Sequence, residues 1–196
     1  MMRTSIAGLS EVLVIALVSK TVMPVRVPTG QVFSHALGVF ATDSYSDQAV
    51  LSSSLHQLWA ITYGSTLETR IRYTPSDVYE TFPRPHGTSR LEWAGQRLDE
   101  ARREIMLQRD LGLTKLYNLV NDSGVTDRSD VDIARIREMH VAVDIAAMEA
   151  YGWNDIRLQH GFHTYRQMER WTISPVARIE ILDRLLIENR RRQDSD

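Results

Sequence analysis

Cysteine is absent from the 196 residues. That excludes disulfides and thiolate-bound metals, and it suits a cytoplasmic setting. Lysine is nearly absent too: Lys20 and Lys115 stand against 21 Arg. Acidic residues number 25 and the formal net charge is −2, so no overall basic field draws in nucleic acid. Any contact with DNA must come from a local patch or from a larger assembly. The arginine bias reflects either coding composition or the fit of guanidinium groups to phosphate and guanine. Long hydrophobic runs are missing as well. The run Val12-Leu13-Val14-Ile15-Ala16-Leu17-Val18 follows Glu11 and has no small-residue cleavage pattern after it. It is too short to span a bilayer and reads as a buried strand.

Familiar catalytic motifs are also lacking. Neither lysine sits in a Gly-Lys-Ser/Thr loop, and Val18 and Leu113 stand where an acid-x-Lys nuclease motif needs a carboxylate. There is no G-x-S-x-G elbow and no H-E-x-x-H pair. The cofactor loop and the Asn-Pro-Pro-aromatic motif of an adenine methyltransferase are absent. His140 and Asp144 lie four apart, and His160 and His163 three apart, which is the raw material of a small His/Asp metal hydrolase. Against that, His140 falls on an apolar helical seam, where a hydrogen-bonded core histidine is the commoner outcome. His35 and His56 read as packing residues. Trp59, Trp93, Trp153 and Trp171 have the shape to stack on bases, but each falls near a seam or a helix end, which favours packing.

With 43% hydrophobic and 24% charged residues, the chain reads as an ordinary globular protein. The pattern predicts an α+β fold in two parts. Residues 1–85 mix strand and helix signals: a core strand at 12–18, an extended piece at 23–30, and a strand at 32–40 bent at Gly38. A helix then starts among Asp43–Asp47 and runs to about Tyr63, with Gly64 as its stop. Pro83, Pro85 and Gly87 mark a linker. Residues 91–193 read as almost wholly helical. Leu91, Ala94, Leu98, Ala101 and Ile105 form a seam, and Leu113–Val120 a short helix. Ser129 with Asp132 resembles a capping box ahead of the Ile133–Ala150 seam, which Gly152 ends. His160-Gly161-Phe162-His163 reads as a loop. Ser174 and Pro175 open a last helix, with Ile179, Leu182, Leu186 and Asn189 as its seam and Arg190-Arg191-Arg192 at its negative end.

The most informative stretch is Ser65 to Pro83. Apolar and charged residues alternate there at period two, which puts Leu67, Thr69, Ile71 and Tyr73 on one strand face and Glu68, Arg70 and Arg72 on the other. On spacing alone this is a solvated sheet edge with a weak ion pair. Facing DNA, the same set has chemistry for base edges: Arg donates to guanine O6 and N7, and Glu accepts from cytosine N4.

The wording of this stretch resembles the end of the target-recognition region in MmeI-like type IIG/IIL restriction-modification DNA adenine methyltransferases. There, L-x-x-x-x-R-Y-[ST]-x-x-D-[VI]-[FY]-E-T-F-P follows a helix bearing S-x-x-H-x-x-W. Here the helix reads Ser53 to Trp59 and the signature Leu67 to Pro83. Further similar pieces keep the same order: Ile15–Lys20, Leu98–Arg102, Gly112–Asn118, Arg137–His140, Ala150–Trp153, His160–Tyr165, Ile173–Pro175 and Leu182–Leu186. The resemblance implies a partial DNA target-recognition domain at 1–85 and a helical C-terminal domain at 86–196. It implies a non-catalytic DNA-recognition role, in a split subunit, a truncated reading frame or a remnant. Double-stranded DNA and a methyltransferase/endonuclease module are the implied partners. S-adenosylmethionine belongs to the methyltransferase module and not to this chain. Glu68, Arg70 and Arg72 are the expected base readers, with Arg26 and the basic tail as phosphate contacts. A helical module docking a methyltransferase subunit is the alternative.

Overall fold

Alternation decides where the first strand goes. The computed structural model describes residues 5–67, 70–165 and 168–194. Strand β1 (Glu11–Ala16) is the centre of an antiparallel sheet ordered β3 (Val25–Pro28), β1, β4 (Leu37–Phe40). Val12, Leu13, Val14 and Ile15 are all buried, because both faces are covered. Leu13 and Ile15 enter the main core, while Val12 and Val14 pack with Ile6 and the side chains of Val25, Val27 and Val39. The expected strand at 32–40 is shorter than predicted. Val32 is exposed, and only Leu37–Phe40 pairs with β1, with Leu13 opposite Phe40.

The chain bends at Leu17, directly after β1. Leu17 N donates to Ala36 O and Leu17 O accepts from Tyr73 N, so this residue belongs to two ladders at once. Strand β2 (Val18–Ser19) then enters a second antiparallel sheet, ordered β2, β6 (Arg70–Arg72), β5 (Ser65–Leu67). In place of the single strand expected over 68–72 there are two paired strands, with Leu67 opposite Arg70 and Ser65 opposite Arg72.

The helix predicted up to Tyr63 is also two elements, α1 (Tyr45–Ser52) and α2 (Ser54–Tyr63). Ser53 divides them. Its backbone is extended at φ −70° and ψ 155°, and its Oγ donates to Val50 O while accepting from His56 N. A serine hydroxyl competing for backbone groups thus ends one helix and caps the next. The cap of α1 is Ser44, inside the expected range Asp43–Asp47.

Helix α3 (Pro75–Val78) leads to the linker and to α4 (Ser89–Gln108), capped by Thr88. At Gly95, α4 passes so close to α1 that an added Cβ would lie 2.0 Å from Tyr45 O. Then come α5 (Leu113–Val120) and α6 (Val131–Tyr151). The α6 cap is Asp130, whose carboxylate accepts from Ile133 N; Ser129 instead closes a turn with Thr126. Gly152 ends α6 at φ 75°, a left-handed conformation that glycine adopts without strain. The expected loop at 160–163 is largely strand: β7 (Gly161–Tyr165) pairs with β8 (Met168–Thr172).

The last helix, α7 (Pro175–Gln193), opens as predicted, with Ser174 as N-cap and Pro175 at N1. Its buried seam is Ala177, Ile181 and Leu185, whereas Ile179 is 67% exposed. Of the predicted seam, Leu182 and Leu186 pack half-buried against the core, and Ile179 lies off it. One core unites Leu13, Ile15, Phe40, α1, α2, Ile71 and Tyr73 with Leu91, Leu98, Val143, Ile181 and Leu185. A second cluster joins Met23 to Ile105, Leu116, Val120, Ile133 and Ile136. Among the described residues, no helix is long and apolar enough to cross a membrane.

Candidate nucleic-acid interface

Strand β6 sits between two neighbours, so it is no sheet edge. Residues directly opposite each other in an antiparallel pair share a face. Val18 and Ser65 therefore flank Arg72 on the outward row, and Ser19 flanks Ile71 on the inward one. The exposures agree: Arg70 and Arg72 are exposed, while Ile71 is 6% and Tyr73 2% exposed. Arg72 has no ion-pair partner among the described residues. Glu68, expected beside them, lies outside the described residues, as does Thr69.

The signature that carries the resemblance forms the floor beneath this row. His56 is fully buried in α2. Its Nδ1 lies 2.8 Å from Leu51 O and its Nε2 3.0 Å from Tyr73 Oη. A carbonyl only accepts, so Nδ1 carries the proton, and the Tyr73 hydroxyl donates to Nε2. Burial holds the His56 pKa down at about 4, with the Arg84 charge acting the same way against the Leu51 bond. Burial likewise pushes the Tyr73 phenol well above its ordinary value. The chain from Leu51 to His56 to Tyr73 is thus neutral and fully bonded, and it fixes the strand residue next to Arg72.

Trp59, one helical turn on, donates from Nε1 to Thr81 Oγ1 at 3.0 Å. The Phe82 ring packs edge-on to His56 at 5.2 Å and against Trp59 at 6.0 Å. Phe40 closes the floor against Tyr73 and Tyr79. Ser53, His56 and Trp59 on one side, with Tyr73, Thr81 and Phe82 on the other, bond or pack to one another. Tyr73, next to Arg72 in the chain, is part of this bonded floor.

Arg26 is the correction. Expected as a phosphate contact, its side chain is only 2% exposed. Nε donates to Gln48 Oε1 and Nη1 to Asp43 O, and the guanidinium lies 3.9 Å over the Tyr45 ring. Glu11 stands 3.7 Å away. Helix α1 covers the β3 face that carries Arg26, so its charge is internal. The basic tail is partly committed as well: Arg191 and Arg192 both pair with Glu188, and Arg192 also donates to Arg84 O.

The four candidate hydrolase residues do not form one site. His140 Nε2 is bonded to Tyr117 Oη at 2.7 Å. Burial and the Arg102 charge hold its pKa down at about 4. Asp144, fully buried, accepts from Ser54 N at 2.6 Å and from His160 Nε2 at 2.8 Å. It serves the N-terminus of α2, where backbone N–H groups lack helical partners. His163 donates to Gln159 O. Among the described residues no cluster of three His, Cys, Asp or Glu could hold a metal ion. Of the tryptophans, Trp59 is core, Trp153 stacks on Tyr151 and Trp171 on His160, while Trp93 is exposed.

No curated protein matches the chain. The family described as MmeI, target recognition domain, matches residues 10–86. The solved structure of the Type IIL restriction-modification enzyme MmeI in complex with DNA matches with a TM-score of 0.60 at 20% identity. That match covers 95% of this chain and 22% of that one, so this chain spans less than a quarter of that enzyme's length. Over residues 10–86 the chain resembles the target recognition domain of MmeI, and over nearly its whole length it shares the fold of the matching part of that enzyme.

Proposed function

We propose that this chain is the non-catalytic DNA sequence-recognition part of a restriction-modification DNA adenine methyltransferase. In this reading residues 1–85 are a partial recognition domain, residues 86–196 a helical C-terminal domain, and the work is done in the cytoplasm. One observation carries it: the central strand of a sheet turns two arginines outward from a bonded, aromatic floor. Side chains at i and i+2 on a strand stand about 7 Å apart, roughly two base-pair steps. Arg70 and Arg72 then read guanine O6 and N7, and Glu68 accepts from cytosine N4. Methyl transfer and cleavage belong to a methyltransferase/endonuclease module that binds S-adenosylmethionine.

The test is selection from a randomised duplex pool at low salt, with the methyltransferase partner present. Wild type is expected to enrich a defined sequence, and Arg70→Ala/Arg72→Ala to lose that preference. Equal enrichment by both proteins would end this assignment.

A second reading is favoured by helix α7. Val176, Ile179 and Ile187 are 76%, 67% and 66% exposed, and their spacing puts them on one side of the helix. Such a row suits docking of a methyltransferase subunit without DNA contact. It predicts co-purification with that subunit and no salt-dependent duplex binding.

A further inference from the structure

The outward sheet ends beside a groove that base reading leaves unused. It has a volume of about 450 Å³, and Lys20, Asn118, Asp122, Ser123, Glu169 and Arg170 line it. Strand register brings it next to the arginines. Val18 pairs with Arg72 and Ser19 with Ile71, and Lys20 follows directly where that ladder ends. Lys20 is exposed, and among the described residues no hydrogen bond or ion pair engages its ammonium.

Beneath Lys20 lies a second cation. Arg170 is 6% exposed, and its Nη2 donates to Lys20 O at 2.5 Å. Its other contact is Met168 Sδ at 4.0 Å, and no carboxylate lies within ion-pair distance among the described residues. Burial lowers its pKa from the ordinary guanidinium value, as expected of a charge with no counter-ion. Buried charges are normally paired, so an anion entering this groove supplies what the fold omits.

The rim also holds Asp122, whose Oδ1 accepts from Gly124 N, and the exposed Glu169. Two carboxylates against two cations leave little net attraction for a free anion. The fitting ligand is one delivered by contacts elsewhere.

We propose that this groove receives a phosphodiester of the duplex whose bases meet Arg70 and Arg72. Lys20 is the contacting group, and Arg170 is a positioning residue that fixes the Lys20 backbone and adds buried positive charge. The proposal rests on the recognition reading above. It adds a contact that is blind to sequence, because phosphates set register and carry no base identity.

The experiment is fluorescence anisotropy of the full chain, with the methyltransferase partner present as above, on a pool of random-sequence duplexes from about 50 to about 200 mM salt. Lys20→Ala is expected to weaken binding about five- to tenfold near about 0.1 M salt and to lower the log–log salt slope by about 1. Lys20→Arg should keep both. Arg90→Ala, which removes a surface cation paired with Glu149, should change neither. An unchanged slope in Lys20→Ala, or an equal loss in Arg90→Ala, overturns the phosphate site. If Arg70→Ala/Arg72→Ala abolishes sequence preference while Lys20→Ala leaves the slope untouched, only this site falls. If wild type binds no duplex at any of these salts, the recognition reading falls and takes the site with it. Saturable binding of inorganic phosphate to the duplex-free protein, lost in Lys20→Ala while duplex binding persists, would reassign the groove to a free anion.

Discussion

Arg26 and Arg72 both sit on strands, and the sequence suggests one trade for both. Their surroundings separate them. Arg26 faces helix α1 and gives its donors to Gln48, Asp43 O and the Tyr45 ring. Arg72 faces outward between Val18 and Ser65. Other arginines have gone the way of Arg26. Arg102 donates to Pro24 O, and Arg137 holds Val120 O, Val125 O and Asp127 together after α5. A guanidinium offers five donors in a fixed fork, and several loop carbonyls can share one such group. Arginine abundance in this chain thus reports internal wiring as much as basic surface.

Removing the enclosed member should hurt most. Arg26→Ala is expected to cost about 3–5 kcal/mol, by stripping Gln48 and Glu11 of a buried partner. Urea unfolding would check it; a midpoint equal to wild type would mean that enclosure confers nothing.

The buried histidines extend the contrast to pH. His56 and His140 have folded pKa values of about 4 against an unfolded value near 6.5. Between those values the unfolded chain binds more protons, so stability is full above about 6.5 and drains as pH falls toward 4. Each histidine contributes up to about 3 kcal/mol across that window. Unfolding at pH 7 and pH 5, in wild type and in His56→Asn, should show a smaller pH loss in the variant.

Tyr73→Phe removes the donor to His56 Nε2 and is expected to cost about 1–2 kcal/mol. Duplex selection with this variant should show blurred preference, because the neighbouring Arg72 loses its anchor. A stability loss with preference intact would separate the floor from reading.

Smallest in stability is Arg72→Ala, within about 0.5 kcal/mol for an exposed position. Its effect should fall on discrimination, at about 1–3 kcal/mol between matched and mismatched duplexes.

Period-two alternation was enough to find the faces of Arg70, Ile71, Arg72 and Tyr73. Helix ends marked by Gly152 and by Ser174-Pro175 were equally legible, since their chemistry is local. The division at Ser53 was not. A continuous apolar seam from Leu51 to Leu58 hid a serine whose hydroxyl serves both helix ends. Burial of Arg26 depends on which helix covers β3, which is tertiary and leaves no periodic mark. In α7 the sequence does not tell Ile179 from Ile181, which are alike in type; packing exposes the first and buries the second. The place of Lys20 near the β6 arginines has no local mark, because it arises from the pairing of strands some fifty residues apart in the chain.

Leu17 has a consequence for motion. Its amide and carbonyl tie the central strand of one sheet to the last link before the other. Strand β6 cannot lift away alone without breaking the bond from Tyr73 N to Leu17 O, the residue that directly follows β1. Amide exchange at Tyr73 should therefore be as slow as at Val14, with both reporting loss of the whole fold rather than fraying at its rim.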